Sequence, residues 1–399
     1  MKNKHSNKMQ DFHVFGEFGG VNPSISDSAT YTFMAAKTMA DTFEGNTEGC
    51  YLYSRHTSPS NLNLAQMLAA MEGTESALVT ASGMGAISSV IMQVCGANDH
   101  IVSSRTIYGG THAFLKNFTP KFNIETSFVD ITDLEKVENA ITKNTKMIYC
   151  ESLSNPLLEI ANIPELSKIA KKHNIVLVVD NTFTPLIISA KDLGADIVCH
   201  SLTKFINGTN DTVGGAVCAD ASFITNMKSV MDGAAMLLGP VMDSLRASSI
   251  LKNTRTLPIR MQKHSENAQY IAEQLEKDGI KVVYPGLKSH KDHELFKELY
   301  NEEFGYGGML TIDAKNLKTA NTLMEKMQDK GVGFLAVSLG FYKTLFNAPG
   351  TGTSSEISEE EQKEMGLNDG LIRFSMGLDP DIKRTYQLIK ESLKEVGML

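Results

Sequence analysis

The residues most able to do chemistry lie close together. Ser201-Leu202-Thr203-Lys204 follows the apolar run Ile197-Val198-Cys199, and Asp180 closes the neighbouring run Ile175 to Val179. An amine in that place can form a Schiff base with an aldehyde, the hydroxyls can hold a phosphate, and a buried carboxylate can keep a pyridine nitrogen protonated. These are the demands of pyridoxal 5′-phosphate. Ser-x-Thr-Lys is a weak pattern by itself, since most lysines are solvated. The surrounding elements strengthen it. Lys172 to Asp180 reads as a polar helix end followed by a buried strand, and Gly194 to His200 reads as the next strand. Asp180 and Lys204 then both follow carboxyl ends of strands, where open parallel sheets place their ligands.

Three further clusters suit the same site. The turn Ala81-Ser82-Gly83-Met84-Gly85 opens a helix running to Val94, whose first amides can receive a phosphate. A dinucleotide fingerprint is the competing interpretation, but Gly83 to Ser88 lacks its third glycine. Tyr108 closes another strand-to-helix connection; it is either a ring that stacks on a flat cofactor, with a phenol that moves a proton, or a rim residue of the core. Asn155, in Ser154-Asn155-Pro156 after a third strand, is placed to bond cofactor or substrate.

These motifs must be carried by a large α/β unit. Residues 1–62 are rich in Gly, Ser, Thr and Asn without core periodicity and read as an arm. Residues 63–257 alternate helices (Ala65 to Met71, Met84 to Val94) with strands near Ile101, Phe128, Ile148, Val178, Val198 and Val217, which predicts parallel strands joined by crossover helices. Residues 258–399 begin with a helical passage from Pro258 to Lys277. Strands near Val282, Met309 and Ile372 and helices near Thr319 and Thr385 then predict a smaller α+β domain.

Composition narrows the function classes. With 399 residues, 42% of them hydrophobic, more than one core is expected. A net charge of -8 argues against a nucleic-acid partner. The absence of a long apolar run and the polar start Met1 to Gln10 predict no membrane span and a cytoplasmic location. The five cysteines are too scattered for a disulfide framework or a Cys-x-x-Cys metal site, and Cys150, Cys199 and Cys218 read as buried reduced thiols. His290 and His293 have ligand spacing but no third ligand, so a solvated or substrate-admitting loop is expected there and no metal site.

Taken together, the chain resembles the Cys/Met-metabolism family of pyridoxal phosphate enzymes, which includes cystathionine lyases and synthases, methionine γ-lyases and acylhomoserine sulfhydrylases. The resemblance runs through Tyr51-Leu52-Tyr53-Ser54-Arg55, Ala81 to Met84, Tyr108-Gly109-Gly110-Thr111, Val179 to Thr182, Ser201 to Lys204, Val337-Ser338-Leu339-Gly340 and Leu371-Ile372-Arg373. It implies the fold-type I, aminotransferase-like architecture and a homotetramer of two active dimers. It further implies that Lys204 carries the cofactor, Asp180 meets the pyridine nitrogen, and Gly83, Met84, Ser201 and Thr203 bind the phosphate. Tyr108 would stack on the ring, and Tyr53 and Arg55 would reach the phosphate of the neighbouring subunit. Arg373, helped by Asn155 and Ser338, would hold the carboxylate of a small amino-acid substrate.

The implied activity is carbon-sulfur lyase chemistry, with γ-elimination of methionine or a related substrate to 2-oxobutanoate, ammonia and a thiol. The alternatives are a cystathionine γ-lyase or a γ-replacement enzyme that uses an activated homoserine and a thiol. The chain departs from the family at the distal wall. Methionine γ-lyases often have Cys where Gly110 stands, and Lys where Met231 stands. Phe341-Tyr342-Lys343 and the segment Asn347 to Ser354 also differ. Phe341 and Tyr342 are expected to line an apolar pocket, and Lys343 to point outward, because an unpaired buried lysine is costly.

Overall fold

The computed structural model describes residues 4–12, 14–45, 47, 49–351, 360, 362 and 365–399. Seven strands form the larger sheet: β1 (Ser76–Thr80), β2 (His100–Ser104), β3 (Glu125–Val129), β4 (Thr145–Glu151), β5 (Val176–Asp180), β6 (Ile197–Ser201) and β7 (Gly215–Ala219). Their order is β1-β7-β6-β5-β4-β2-β3. Strands β3, β2, β4, β5 and β6 run parallel, as expected. Strand β7 does not; it is antiparallel to both β6 and β1. A parallel return needs a crossover of a dozen or more residues, usually helical. The β6–β7 connection has no helix, so the chain doubles back, and this is the connection that carries Lys204.

Side chains alternate across these strands and pack into two layers. Ile148, Cys150, Leu177 and Val179 join the core beneath the helix Pro59–Glu72, whereas Tyr149, Val178 and Cys199 join the core beneath the helix Gly83–Val94. The same alternation sends Glu151, Asp180 and Ser201 to the Gly83 side of the sheet. Helix Gly83–Val94 follows β1 after two residues, so its N-terminus lies over the strand ends. The Ser82 hydroxyl accepts from the Gly85 amide, a cap worth about 1 kcal/mol.

The second sheet contains β8 (Val282–Val283), β9 (Met309–Asp313), β10 (Gly333–Leu335), β11 (Thr344–Asn347) and β12 (Leu371–Ser375), ordered β10-β11-β12-β9-β8. Helices Leu257–Lys277, Leu317–Asp329 and Ile382–Glu395 cover it, and together they close a separate core around Leu310, Phe346, Phe374 and Ile389.

Other expectations need correction as well. The arm contains helices, Lys4–Gln10 and Ala36–Phe43, and the helix expected from Ala65 begins at Pro59. Ser58 caps it and Pro59 takes a first-turn position where a missing N–H costs nothing, a start signal outside the apolar stretch. His290 and His293 are buried rather than solvated: each ring donates to a main-chain carbonyl, of Leu158 and Pro285 respectively, and His293 stacks on Tyr306. The five cysteines are unpaired, and Cys150, Cys199 and Cys218 are buried. Among the described residues, no helix is long and apolar enough to cross a membrane.

Candidate active site

A cavity of about 480 Å³ opens where the carboxyl ends of β4, β5 and β6 meet the second sheet, and its lining includes Lys204, Asp180, Tyr108, Asn155, Ser338 and Arg373. Gly83, Met84, Ser201 and Thr203 line it as well. The approach of helix and strand is close: a Cβ on Gly83 would stand 2.9 Å from the Ser201 Cβ. With Ser82 occupied by the Gly85 amide, the first-turn amides of Gly83 and Met84 are left for an anion.

Asp180 is buried, and its oxygens are used unequally. Oδ1 accepts from the Thr182 amide at 3.0 Å and the Thr182 hydroxyl at 2.5 Å, whereas among the described residues Oδ2 has only a 3.5 Å approach from the Tyr149 hydroxyl. Burial raises the Asp180 pKa, opposed by the Thr182 bonds. In register beside it, Glu151 is raised well above the carboxylate range, first by burial and then by Asp180. A cationic ring nitrogen at Oδ2 would relieve this crowding. An anion-holding turn, an aspartate with a spare oxygen and a buried amine together fit a flat, phosphorylated, aldehyde-bearing pyridine.

Lys204 is held at about 8, first by desolvation and then by the Arg373 charge. Its Nζ donates to Ser338 Oγ at 3.1 Å. Arg373, on β12, is 2% exposed and brought to about 10 by burial, with Glu151 opposing. Its Nη1 donates to Asn155 Oδ1 at 2.7 Å, and among the described residues no carboxylate lies within ion-pair distance. A buried cation so lightly compensated is costly unless an anion visits it.

Glu151 was not foreseen as a site residue. Its carboxylate accepts from the Tyr108 amide at 2.7 Å and the Asn155 amide at 2.8 Å, so one buried group fixes the backbone of both. Tyr108 stands at the N-terminus of the helix Gly109–Ala113 with 42% of its surface open. An acidic residue ending an apolar strand was the available signal.

Not every expected residue reaches this cavity. Tyr53 is half exposed and bridges to Thr30, and Arg55 donates to the Met236 carbonyl at 2.9 Å, away from the cavity of their own chain. Phe341 and Tyr342 are not in the lining; their rings pack on each other outside it. The apolar wall comes instead from Val337 and Leu339 on the same loop and from Leu153, Phe183 and Val213 in the connections of the large sheet. Lys343 donates to the Gly331 carbonyl at 2.6 Å, outside the cavity, in keeping with the outward orientation expected. Gly352 to Ser354, part of the unusual segment after Asn347, lie outside the described residues.

Comparison with known proteins agrees with this geometry. Methionine gamma-lyase of Arabidopsis thaliana is 47% identical over 371 residues, 92% of this chain and 84% of that protein. Cystathionine beta-lyase of Coxiella burnetii is 36% identical over 367 residues, 90% of this chain and 92% of that protein. A crystal structure from Campylobacter jejuni, provisionally assigned as an O-acetylhomoserine (thiol)-lyase and holding N′-pyridoxyl-lysine-5′-monophosphate, superposes with a TM-score of 0.91 at 30% identity, covering 98% of this chain and all of that one. The family model for Cys/Met metabolism PLP-dependent enzymes matches residues 5–390, and the chain, a fold-type I enzyme of sulfur amino-acid metabolism, belongs to that family.

Proposed function

We propose that this enzyme is a carbon-sulfur lyase that converts L-methionine, or a closely related sulfur amino acid, to 2-oxobutanoate, ammonia and a thiol by γ-elimination. The observation that carries this reading is one cavity in which Lys204, Asp180, Tyr108 and Arg373 face an apolar wall of Leu153, Phe183, Val337 and Leu339. Pyridoxal 5′-phosphate, when bound, supplies an electron sink next to the substrate α-carbon. The remaining tasks fall to side chains. Gly83, Met84, Ser201 and Thr203 would hold the phosphate, Asp180 would meet the ring nitrogen, and Tyr108 would cover the ring. Arg373 grips the substrate carboxylate as a bidentate donor, with Asn155 beside it. Lys204, once its amine is free, would take the α-proton and then a β-proton, whose electron pair expels the sulfur from the γ-carbon. With its pKa near 8, roughly one amine in ten is neutral at pH 7, enough for a base. The Tyr108 phenol protonates the leaving sulfur.

The distal wall favours a methyl thioether over a second carboxylate, because Lys343 is turned to the Gly331 carbonyl and supplies no cation there. An incoming thiol in place of water would give γ-replacement from the same arrangement. The test is to incubate the purified enzyme with methionine, cystathionine, cysteine and O-acetylhomoserine, with and without added thiol, and to identify every product. Release of 2-oxobutanoate and methanethiol from methionine is expected. Thioether formation from O-acetylhomoserine with no turnover of methionine would replace this reading by the γ-replacement one.

Assembly and location belong to the same proposal. The enzyme is a homotetramer of two active dimers, in which Tyr53 and Arg55 serve the neighbouring site. Exposed Met34, Phe43, Leu237, Leu238 and Leu245 supply apolar surface for such contacts. Of the division at 1–62, 63–257 and 258–399, the border near 257 is supported by the two sheets, which span 76–219 and 282–375, whereas the border at 62 falls within the helix Pro59–Glu72. Five unpaired thiols suit the reducing cytoplasm.

A further inference from the structure

Ser338 comes to Lys204 from the other sheet, on the loop between β10 and β11. That loop is seated by Gly340, which has φ of +75° and lies so near the backbone after Lys204 that a Cβ would meet the Phe205 nitrogen at 2.5 Å. The Gly340 amide donates to Ser375 Oγ at 2.9 Å, and Leu339 is buried in the core of the large sheet. The Ser338 oxygen, thus placed, is 3.1 Å from Lys204 Nζ and 2.9 Å from Asn210 Oδ1. Asn210 sits six residues after the lysine, in a left-handed backbone conformation with φ of +52°. Its turn is braced on both sides. Asn207 and Thr209 donate to the Asp211 carboxylate at 2.8 Å and 2.6 Å, Asn253 donates to Asn207 Oδ1 at 2.8 Å, and the Gly208 amide donates to the Lys204 carbonyl at 2.8 Å.

A serine hydroxyl has one proton, and an amide oxygen can only accept. The Ser338 proton is therefore spent on Asn210, and the lone pairs of Ser338 face the lysine. We propose that Asn210 is a positioning residue for Lys204, which fixes Ser338 as an acceptor and so favours the protonated lysine each time the amine is freed. This rests on the assignment of Lys204 as the cofactor-bearing base. Burial and the Arg373 charge both press Lys204 toward its neutral form, so an acceptor held in place opposes them. Without Asn210 the hydroxyl can turn and donate to the neutral amine instead.

The test follows the rate at which the full chain, freed of cofactor, takes up pyridoxal 5′-phosphate from about pH 6 to about pH 10, by time-resolved absorbance. Only the neutral amine attacks the aldehyde, so the midpoint reports the Lys204 proton. Asn210→Gly tolerates the positive φ and removes the acceptor, whereas Asn210→Asp retains an acceptor oxygen. The midpoint is expected to fall by about one pH unit in Asn210→Gly and in Ser338→Ala, with no further fall in the double variant. It should remain at or above the parent value in Asn210→Asp. A midpoint in Asn210→Gly within about 0.2 pH unit of the parent would overturn the proposal while leaving Lys204 its role. A fall in both Asn210 variants would overturn it too, by showing that the turn and not the acceptor matters. A parent chain that takes up no cofactor would overturn this inference together with the assignment of Lys204.

Discussion

Replacing Arg373 by methionine should separate stability from activity. The guanidinium is 2% exposed, and burial lowers its pKa from the usual 12.5 to about 10. At about 1.4 kcal/mol per pH unit, that drop costs the folded chain about 3 kcal/mol. The sign follows from linkage. The unfolded chain holds this proton more tightly, so the cost is present in full at neutral pH and is relieved only as pH rises through about 10. Arg373→Met recovers this cost, less about 1 kcal/mol for Asn155 Oδ1 left without its donor. The cofactor-loaded variant should therefore melt at the same temperature as the parent or a few degrees higher, by fluorescence-detected unfolding. Its kcat/KM for methionine should fall about a hundredfold to several thousandfold, since removing one partner of a buried charge pair costs about 3–5 kcal/mol, and most of the loss should appear in KM. A variant that melts several degrees lower while losing only a few-fold in kcat/KM would refute the reasoning and make Arg373 a structural cation.

Asp180→Ala should weaken cofactor retention in equilibrium dialysis and reduce turnover by at least about a hundredfold, because a neutral pyridine is a poorer electron sink; near-normal turnover would contradict its assigned role. Lys343→Glu should change kcat/KM for methionine and for cystathionine by less than about twofold, since that ammonium rests on the Gly331 carbonyl; a large loss confined to cystathionine would turn the lysine inward. Mixing Arg55→Ala with Lys204→Ala subunits should restore part of the activity, and demonstrated exchange without recovery would sink the shared-site assembly. His264 is held at about 4 by burial, while its ring donates to the Met376 carbonyl. The unfolded chain therefore takes up a proton that the folded one refuses, and stability should fall as pH drops from about 6.5 to about 4. His264→Asn, which can donate without titrating, should flatten that part of a urea-denaturation series.

Local patterns in the sequence carried much of the fold. Apolar runs bounded by polar helix ends located β2 to β7, and the Ser201 to Lys204 run, Asp180 and the Gly83 turn converge on one cavity. Strand direction was less legible, since Gly215–Ala219 reads the same either way and its reversal depends on a connection without a helix. Glu151 acquires meaning only from its register beside Asp180. Asn210 meets Ser338 across 128 positions of sequence, beyond any local pattern. Phe341 and Tyr342 show the converse, because an apolar loop residue does not reveal which way it faces. The polar neighbours of His290 and His293 concealed two rings turned inward.

The division of labour between the sheets has an evolutionary consequence. Asp180, Lys204 and the Gly83 turn belong to the large sheet and its connections, while Arg373 and Ser338 come from the small one. Away from the Ser338–Gly340 loop, which touches Lys204, mutations around the small sheet can redraw one side of the substrate outline without disturbing the seat of the cofactor. One ancestral scaffold can thus be retuned by drift on a single side. Enzymes named for different bond cleavages and sulfur transfers can then share nearly the whole length of their chains, as the Arabidopsis, Coxiella and Campylobacter relatives do with this one.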